Sequence, residues 1–314
     1  MFVEPLGNLV LGSSCKVMQS SIFDLAAPGF YACWAMNKQP SAAEQFRALH
    51  ASGCFVLPNP PDTGSAIYLE HVGFKAVATT SAGFAFTKGF SDGSAQVSLE
   101  MMLEHFREMA AAVSVPVNAD FLNGYADKLD GVAENVRCCT ATGVAGLSIE
   151  DSTRRKETPL YEFAEAVARI KAARAAIDES GTGVLLTARC EAWLVGDDYP
   201  LRTSLQRLTA FAEAGADCLY APGVTSPDEI ATIVKAVAPK PVNVLVYAKN
   251  CNLTLAQLED LGVRRISVGG ALARTAWTGL INAAREMHEA GTFTALGQAT
   301  DFNLNELFAA RSRE

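Results

Sequence analysis

Three observations predict an α/β chain closed into a (β/α)8 barrel. From residue 41 onward, short β-rich runs alternate with amphipathic stretches. The runs are apolar at nearly every position, as strands covered on both faces must be. Glycine recurs where a helix should stop before the next strand, in "HASGCF", "EHVGFKA", "TATGVAG", "EAGADC" and "DLGVRR". It accepts the left-handed conformation that ends a helix.

The strand candidates, in order, are 54–58 (CFVLP), 74–79 (FKAVAT), 115–119 (VPVNA), 144–149 (VAGLSI), 184–188 (VLLTA), 217–221 (DCLYA), 242–247 (VNVLVY) and 264–268 (RRISV). The helical stretches are 41–52, 63–72, 96–113, 128–142, 159–178, 201–214, 226–238 and 254–261, followed by two more at 270–290 and 301–312. Polar residues before the apolar period mark the starts in "TSPDEI" and "LTLAQLEDL". Eight units in one chain favour closure of the sheet. A doubly wound open sheet is the alternative. It would carry a glycine-rich phosphate loop after its first strand, and "LPNPPDTGSA" is not one. Residues 1–38 show no clear period and read as an N-terminal extension, loosely ordered or packed outside; 39–314 hold the barrel and its C-terminal helices.

Composition narrows the function. The 314 residues are 49% hydrophobic and 19% charged, enough for a large core and too apolar for disorder. Net charge is −8 without a basic stripe or zinc-finger spacing, which argues against a nucleic-acid partner. No apolar segment is long enough for a membrane span, and "MFVEPLGNLVLGSSCKVMQSS" lacks the basic start of a secretory signal. The eight cysteines form no C-x-x-C pair and several sit in apolar runs. They read as reduced core residues of a cytoplasmic protein.

Polar residues collect at the predicted carboxyl ends of strands, where a barrel of this type gathers its chemistry. These are Thr79, Thr80, Ser81 and Asp92 after the second strand, Asn118 and Asp120 on the third, and Glu150 and Asp151 on the fourth. The fifth contributes Arg189 and Glu191, and the seventh Asn243, Tyr247 and Lys249. Carboxylates from adjacent loops need something positive between them; an oxygen-rich set suits Mg²⁺ or Mn²⁺. Arg189 offers a fork for a substrate carboxylate. The hydroxyl-rich segment Thr80-Ser81-Ala82-Gly83 can offer backbone N–H groups to an anion. Each feature has a plainer alternative. Asp120 could cap its own loop, Glu150 and Asp151 could pair with Arg154 or Arg155, Arg189 could neutralise Glu191, and "TTSAGF" could be a turn. His50, His71, His105 and His288 all fall in helical stretches, which places them outside the barrel and argues against zinc–histidine or Ser-His-Asp chemistry.

Five segments in register, "GCFVLPNPPDTGSA", "AVATTSAGFAFTKGFSD", "VPVNADFLNGYAD", "GVAGLSIEDS" and "LLTARCEAWLVG", resemble the isocitrate lyase/phosphoenolpyruvate mutase superfamily. "GVRRISVGGALARTAW" matches its less-characterised bacterial branch, and the resemblance spans about residues 41–312. It implies a TIM-type barrel whose last helix is exchanged between subunits of a homotetramer, a dimer of dimers. It also implies cleavage or formation of a C–C or P–C bond beside a carboxylate, through a Mg²⁺-stabilised enolate of a small carboxylate substrate. By resemblance, Asp120 is the direct metal ligand, with Asp92 and Glu150 holding metal-bound waters. Thr80 and Ser81, with Ala82, look like the loop that receives the substrate carboxylate, and Arg189 like its cationic partner. From strand-end position alone, Asn243 is a further binding residue, and the proton donor stays open among Tyr247, Lys88, Lys249 and a residue of the 152–158 loop. Two departures stand out. Asn118 occupies a position where members with two acids carry one of them. The lyases' "KKCGH" loop is replaced by "EDSTRRKETPLYEF", with no Cys or His. Arg154, Arg155 and Lys156 in that loop are either a cationic lid or a solvated run.

Overall fold

The computed structural model describes residues 39–248 and 252–311. The extension predicted over 1–38, and Lys249, lie outside the described residues. In chain order the elements are α1 (Ala42–Leu49), β1 (Phe55–Leu57), α2 (Thr63–Val72), β2 (Val77–Ala78), α3 (Ser81–Thr87), α4 (Leu99–Ala112), β3 (Val117–Asp120) and α5 (Leu129–Thr140). There follow β4 (Gly146–Glu150), α6 (Phe163–Ser180), β5 (Leu185–Arg189), α7 (Ala192–Val195), α8 (Pro200–Glu213), β6 (Cys218–Tyr220) and α9 (Pro227–Val237). The chain then runs through β7 (Val242–Leu245), α10 (Leu255–Asp260), β8 (Arg265–Ser267), α11 (Ala271–Arg285) and α12 (Leu304–Arg311).

Every predicted strand forms, and every pair in the order β1-β8-β7-β6-β5-β4-β3-β2 is parallel. The barrel is nearly closed. Between β1 and β2 one hydrogen bond, Ala78 N to Pro58 O at 2.9 Å, replaces a ladder. Pro58, Pro60 and Pro61 leave this edge without the donors that a ladder needs. Asn59 bridges the seam instead. Its Nδ2 donates to Thr79 O, and its Oδ1 accepts from Val268 N and Gly269 N, all at 2.9 Å.

Helix starts follow capping chemistry. Ser41 and Glu44 form a reciprocal capping box at α1, and Asp62 accepts from Ser65 N at α2. Helix α3 does not appear among the predicted helices because "TTSAGF" carries turn residues. Thr80 is in fact its N-cap, accepting from Gly83 N at 3.2 Å. A Cβ on Gly83 would stand 2.5 Å from Thr80 Cγ2, so the tight cap needs glycine.

Alternation along each strand sends one set of side chains to the helices and one into the barrel. Leu147 and Ile149 join the main core under the helices. Phe46 from α1 plugs the amino-terminal end of the barrel with Leu57, Ala76, Ala78 and Leu185. The histidine expectation fails at His50 and holds at His105, which is buried but stays on α4 outside the barrel. His50 caps α1, is buried, and reaches Arg265 inside the barrel; His105 is buried with its ring 4.5 Å from Phe84. Neither belongs to the carboxyl-end site. Helix α12 rests on α2 of its own chain, where Phe302 meets Tyr68 edge-on at 5.2 Å.

Candidate active site

At the carboxyl ends of the strands a cavity of about 790 Å³ opens between β2, β3, β5, β7, β8 and the start of α11. One guanidinium organises its polar side. Arg189, the last residue of β5, places Nη1 2.6 Å from Asp120 Oδ1 and Nη2 3.3 Å from Glu150 Oε2. Its Nε and Nη2 lie 3.0 and 2.9 Å from Glu191 Oε1. The registers explain the meeting: Asp120 is opposite Ser148, and Glu150 is opposite Arg189, so the ends of three adjacent strands converge. The Tyr220 ring lies 5.2 Å below the guanidinium carbon.

Three carboxylates face one cation, an excess of two negative charges when all are ionised. Burial pushes Glu150 and Glu191 upward, toward the protonated form, and Arg189 only partly holds them down. Burial also works against the Arg189 charge. Glu191, Glu150 and Asp120 more than reverse that, and Arg189 remains a cation.

Asp120 also serves α3. Its Oδ2 accepts from Ser81 N at 2.9 Å and Ser81 Oγ at 2.8 Å, capping that helix from a neighbouring strand. Thr79 Oγ1 accepts from Asp120 N at 2.9 Å and locks the strand end. One of the plainer alternatives thus holds beside the site: Arg189 does pair with Glu191, whereas Asp120 caps α3 and not its own loop. The others do not. Glu150 pairs with Arg189, and Asp151 is buried against Arg207 at 3.2 Å while accepting from Glu191 N at 2.8 Å.

The loop after β3 is strained. Leu122 and Tyr125 have φ of 48° and 54°, a left-handed region disfavoured for residues with a Cβ. Arg169, fully buried on α6, holds it by donating to the carbonyls of Asn123 at 2.7 Å, Asp127 at 3.0 Å and Ala126. That guanidinium stacks 4.0 Å from the Tyr161 ring.

The structure brings Thr80, Ser81, Ala82, Asp120 and Arg189 to one side of the cavity. Asp92 lies exposed on the rim, Tyr247 half-buried beyond β7. Asn243 spends its amide internally: Nδ2 donates to Ser267 Oγ and Oδ1 accepts from Arg265 Nε, both at 2.9 Å. Sequence reasoning missed Arg265, Tyr220 and the seam residue Asn59. Arg265 had a usable signal, since in "RRISV" Arg265 and Ser267 share the inward period of a strand.

A divalent cation finds hard oxygen donors here. The donor set carries two surplus negative charges when all three acids are ionised. In their present positions, no three Asp, Glu, His or Cys side chains among the described residues converge closely enough to hold a metal. The donors therefore fit such an ion in chemistry and charge, with Asp120 now turned to Arg189 and Ser81.

Comparison with known proteins agrees with this architecture. The phosphoenolpyruvate phosphomutase family profile matches residues 46–288. An uncharacterized protein of Mycobacterium tuberculosis is 34% identical over 230 residues, covering 71% of this chain and 81% of its own. An oxaloacetate decarboxylase of Pseudomonas savastanoi pv. phaseolicola is 26% identical over 280 residues, covering 85% and 92%. Among solved structures, a provisionally assigned lyase/mutase of Burkholderia cenocepacia J2315 is 46% identical with a TM-score of 0.81, covering 85% of this chain and 95% of that one.

Proposed function

Because the chain belongs to the phosphoenolpyruvate phosphomutase family, we propose that it is a Mg²⁺-dependent lyase or decarboxylase of that superfamily, with Mn²⁺ as a substitute. Its substrate is a small 2-oxo or 2-hydroxy di- or tricarboxylate, cleaved beside a carboxylate through an enolate. The observation that carries the reading is the Arg189 cluster, two buried carboxylates and the partly buried Asp120 on one guanidinium at the carboxyl ends of β3 to β5.

Asp120, Glu150 and the rim residue Asp92 are the donors that would hold the ion. Bound there, Mg²⁺ would supply Lewis-acid stabilisation of negative charge developing on the substrate's 2-oxygen. The first turn of α3, with Ser81 and Ala82, offers N–H groups to the substrate carboxylate. Arg189 turns part of its fork from Asp120 to that carboxylate. Tyr247, which lines the cavity, and Glu150, held toward its protonated form by burial behind Arg189, are the candidates for moving a proton.

The test is thermal unfolding with oxalate, a planar mimic of the pyruvate enolate, with Mg²⁺ or with EDTA. A midpoint rise that needs both oxalate and Mg²⁺ and disappears in Asp120→Ala supports the reading. No rise in either condition favours a metabolite-binding homologue without turnover.

One observation favours P–C bond chemistry as the second reading. Arg154 Nη2 lies 3.0 Å from where a Cβ on Gly93 would stand, so the cationic 152–158 loop touches the Asp92 rim; Arg155 is tied to Asp127 at 2.9 Å. A phosphonate dianion would use such cations. Preferential binding of phosphonopyruvate over oxalate would promote it.

We also propose that the protein assembles with copies of itself. Trp277, Leu280 and Ile281 on α11, with Phe293, Leu296 and Phe308 beyond it, expose large apolar side chains. Exchange of α12 between copies would bury the same face, and a monodisperse monomer at micromolar concentration in light scattering would refute this. No helix among the described residues is long and apolar enough to cross a membrane. The free thiols Cys54, Cys138, Cys139, Cys190 and Cys218 suit a reducing, cytoplasmic setting.

A further inference from the structure

A cation without an acid lies below the Arg189 cluster. Arg265, on β8, is 2% exposed yet lines the same cavity. Its guanidinium reaches across the barrel. Nε donates to Asn243 Oδ1 at 2.9 Å, Nη2 donates to Thr187 Oγ1 on β5 at 3.0 Å, and Nη1 lies 3.3 Å from His50 Nε2. All three partners are neutral. The imidazole stays so because burial and then the Arg265 charge push His50 down to about 3.

The other buried arginines have carboxylates close by: Arg189 has three, Arg207 has Asp151 at 3.2 Å, and Arg169 has Glu165 at 3.8 Å. Arg265 makes no ion pair among the described residues, and two of its five N–H donors have no partner there. A buried charge left in that state is costly unless something answers it.

A second, independent observation marks the same floor. Asn118 lines the cavity, is 5% exposed, and its Oδ1 has no hydrogen-bond partner. Thr187, which Arg265 touches, stands two residues before Arg189 on β5, about 7 Å deeper at the usual rise of a strand. The cavity thus has an upper cation ringed by acids, a lower cation with free donors among the described residues, and on another strand of its lining an amide oxygen that lacks a hydrogen.

We propose that Arg265 binds the distal carboxylate of the substrate, so that the ligand is a dicarboxylate of four or more carbons set along the barrel axis. Asn118 Oδ1 accepts from a hydroxyl or an ordered water between its ends. The proposal rests on the reading above, in which the upper site takes the first carboxylate. Its physical content is charge. A carboxylate entering the floor supplies the counter-ion that Arg265 lacks, whereas a neutral end would leave the cation desolvated and unpaired.

The test is calorimetric titration of the wild-type protein, with Mg²⁺, by oxalate, lactate and malate. Lactate and malate share a 2-hydroxy acid head and differ in the distal carboxylate. Malate should bind about tenfold or more tightly than lactate, the range of a charge-assisted pair. Arg265→Met should erase that ratio while leaving the oxalate affinity within about twofold. Equal wild-type affinities for malate and lactate, with oxalate bound, would overturn this proposal alone and leave water as the occupant of the floor. Failure of oxalate to bind would overturn the upper-site reading and this one with it. Equal weakening of all three ligands in Arg265→Met would assign Arg265 a structural role only. If Arg265→Met does not fold, a wild-type structure with malate decides: a carboxylate oxygen within hydrogen-bond distance of Arg265 supports the assignment, and water in its place refutes it.

Discussion

Arg189 and Arg265 lie on one hydrogen-bonded row of the sheet, because Arg189 is opposite Tyr220, Tyr220 opposite Asn243, and Asn243 opposite Arg265. Their surroundings are opposite in charge. The upper guanidinium meets three carboxylates; the lower meets an amide, a hydroxyl and a neutral imidazole. The same side chain therefore does two jobs in one barrel. Arg189 holds together a site with negative charge to spare when its acids are ionised, while Arg265 leaves positive charge to spare.

The hardest way to break that comparison is to remove the upper cation. Arg189→Met leaves Asp120, Glu150 and Glu191 buried with no counter-charge. A loss of about 3–5 kcal/mol is expected in urea unfolding at pH 9. The loss should shrink toward pH 5. Glu150 and Glu191 have native pKa values above their unfolded ones, so as pH falls they keep protons that relieve the repulsion. Equal losses at both pH values would contradict the charge argument.

Asp120→Asn should do the reverse: less to stability, much to turnover. The amide oxygen can still accept from Ser81, its NH2 then faces Arg189 and loses that bond, and one surplus charge disappears, so the stability loss should be about 1–2 kcal/mol, below that of Arg189→Met. Turnover of any substrate found should fall by about 100-fold or more, as when a charge-stabilising group is lost. Undiminished turnover would sink the assignment of Asp120.

The lower layer has its own pH signature. His50 is neutral when folded, with a pKa of about 3 against an unfolded value near 6.5. Below the unfolded value the unfolded chain binds a proton that the native one refuses. Stability is therefore lost as pH falls, by up to about 1.4 kcal/mol per unit from this group, and is fully present above it. His50→Gln should flatten the stability profile between pH 6.5 and 4. An unchanged slope would show that His50 is open to protonation in the native barrel.

Thr187→Val is the mildest probe. It deletes one neutral hydrogen bond to Arg265 at nearly constant shape, for an expected cost of about 1–2 kcal/mol. No measurable cost would mean that the Arg265 guanidinium is already satisfied by water in the floor.

Much of the barrel is legible from local chemistry. Glycines after helices and apolar runs between them locate all eight strands, because helix termination and burial on both faces act within a few residues. Helix α3 was not legible. Its capping comes from Thr80 and, on the neighbouring strand β3, from Asp120, and a window of sequence contains only the first. The upper site residues were visible as acids and an arginine at strand ends, since polar groups there are conspicuous against apolar strands. Their pairing was not, because Asp120, Glu150 and Arg189 are joined by register between strands 69 and 39 residues apart at most.

The sequence by itself determined the eight-unit barrel, the carboxyl-end address of the polar residues and the family to which they belong, because periodicity, turn chemistry and strand-end polarity are local properties. Only the tertiary structure decided how those charges are shared. It turned Asp120 toward both Arg189 and Ser81, sent His50 inward from a helix end, and set Arg265 across the lumen with no acid paired to it among the described residues. The physical reason is that closure of the sheet brings inward-facing side chains from distant strands into a volume without bulk water. There the balance of charge depends on every neighbour at once.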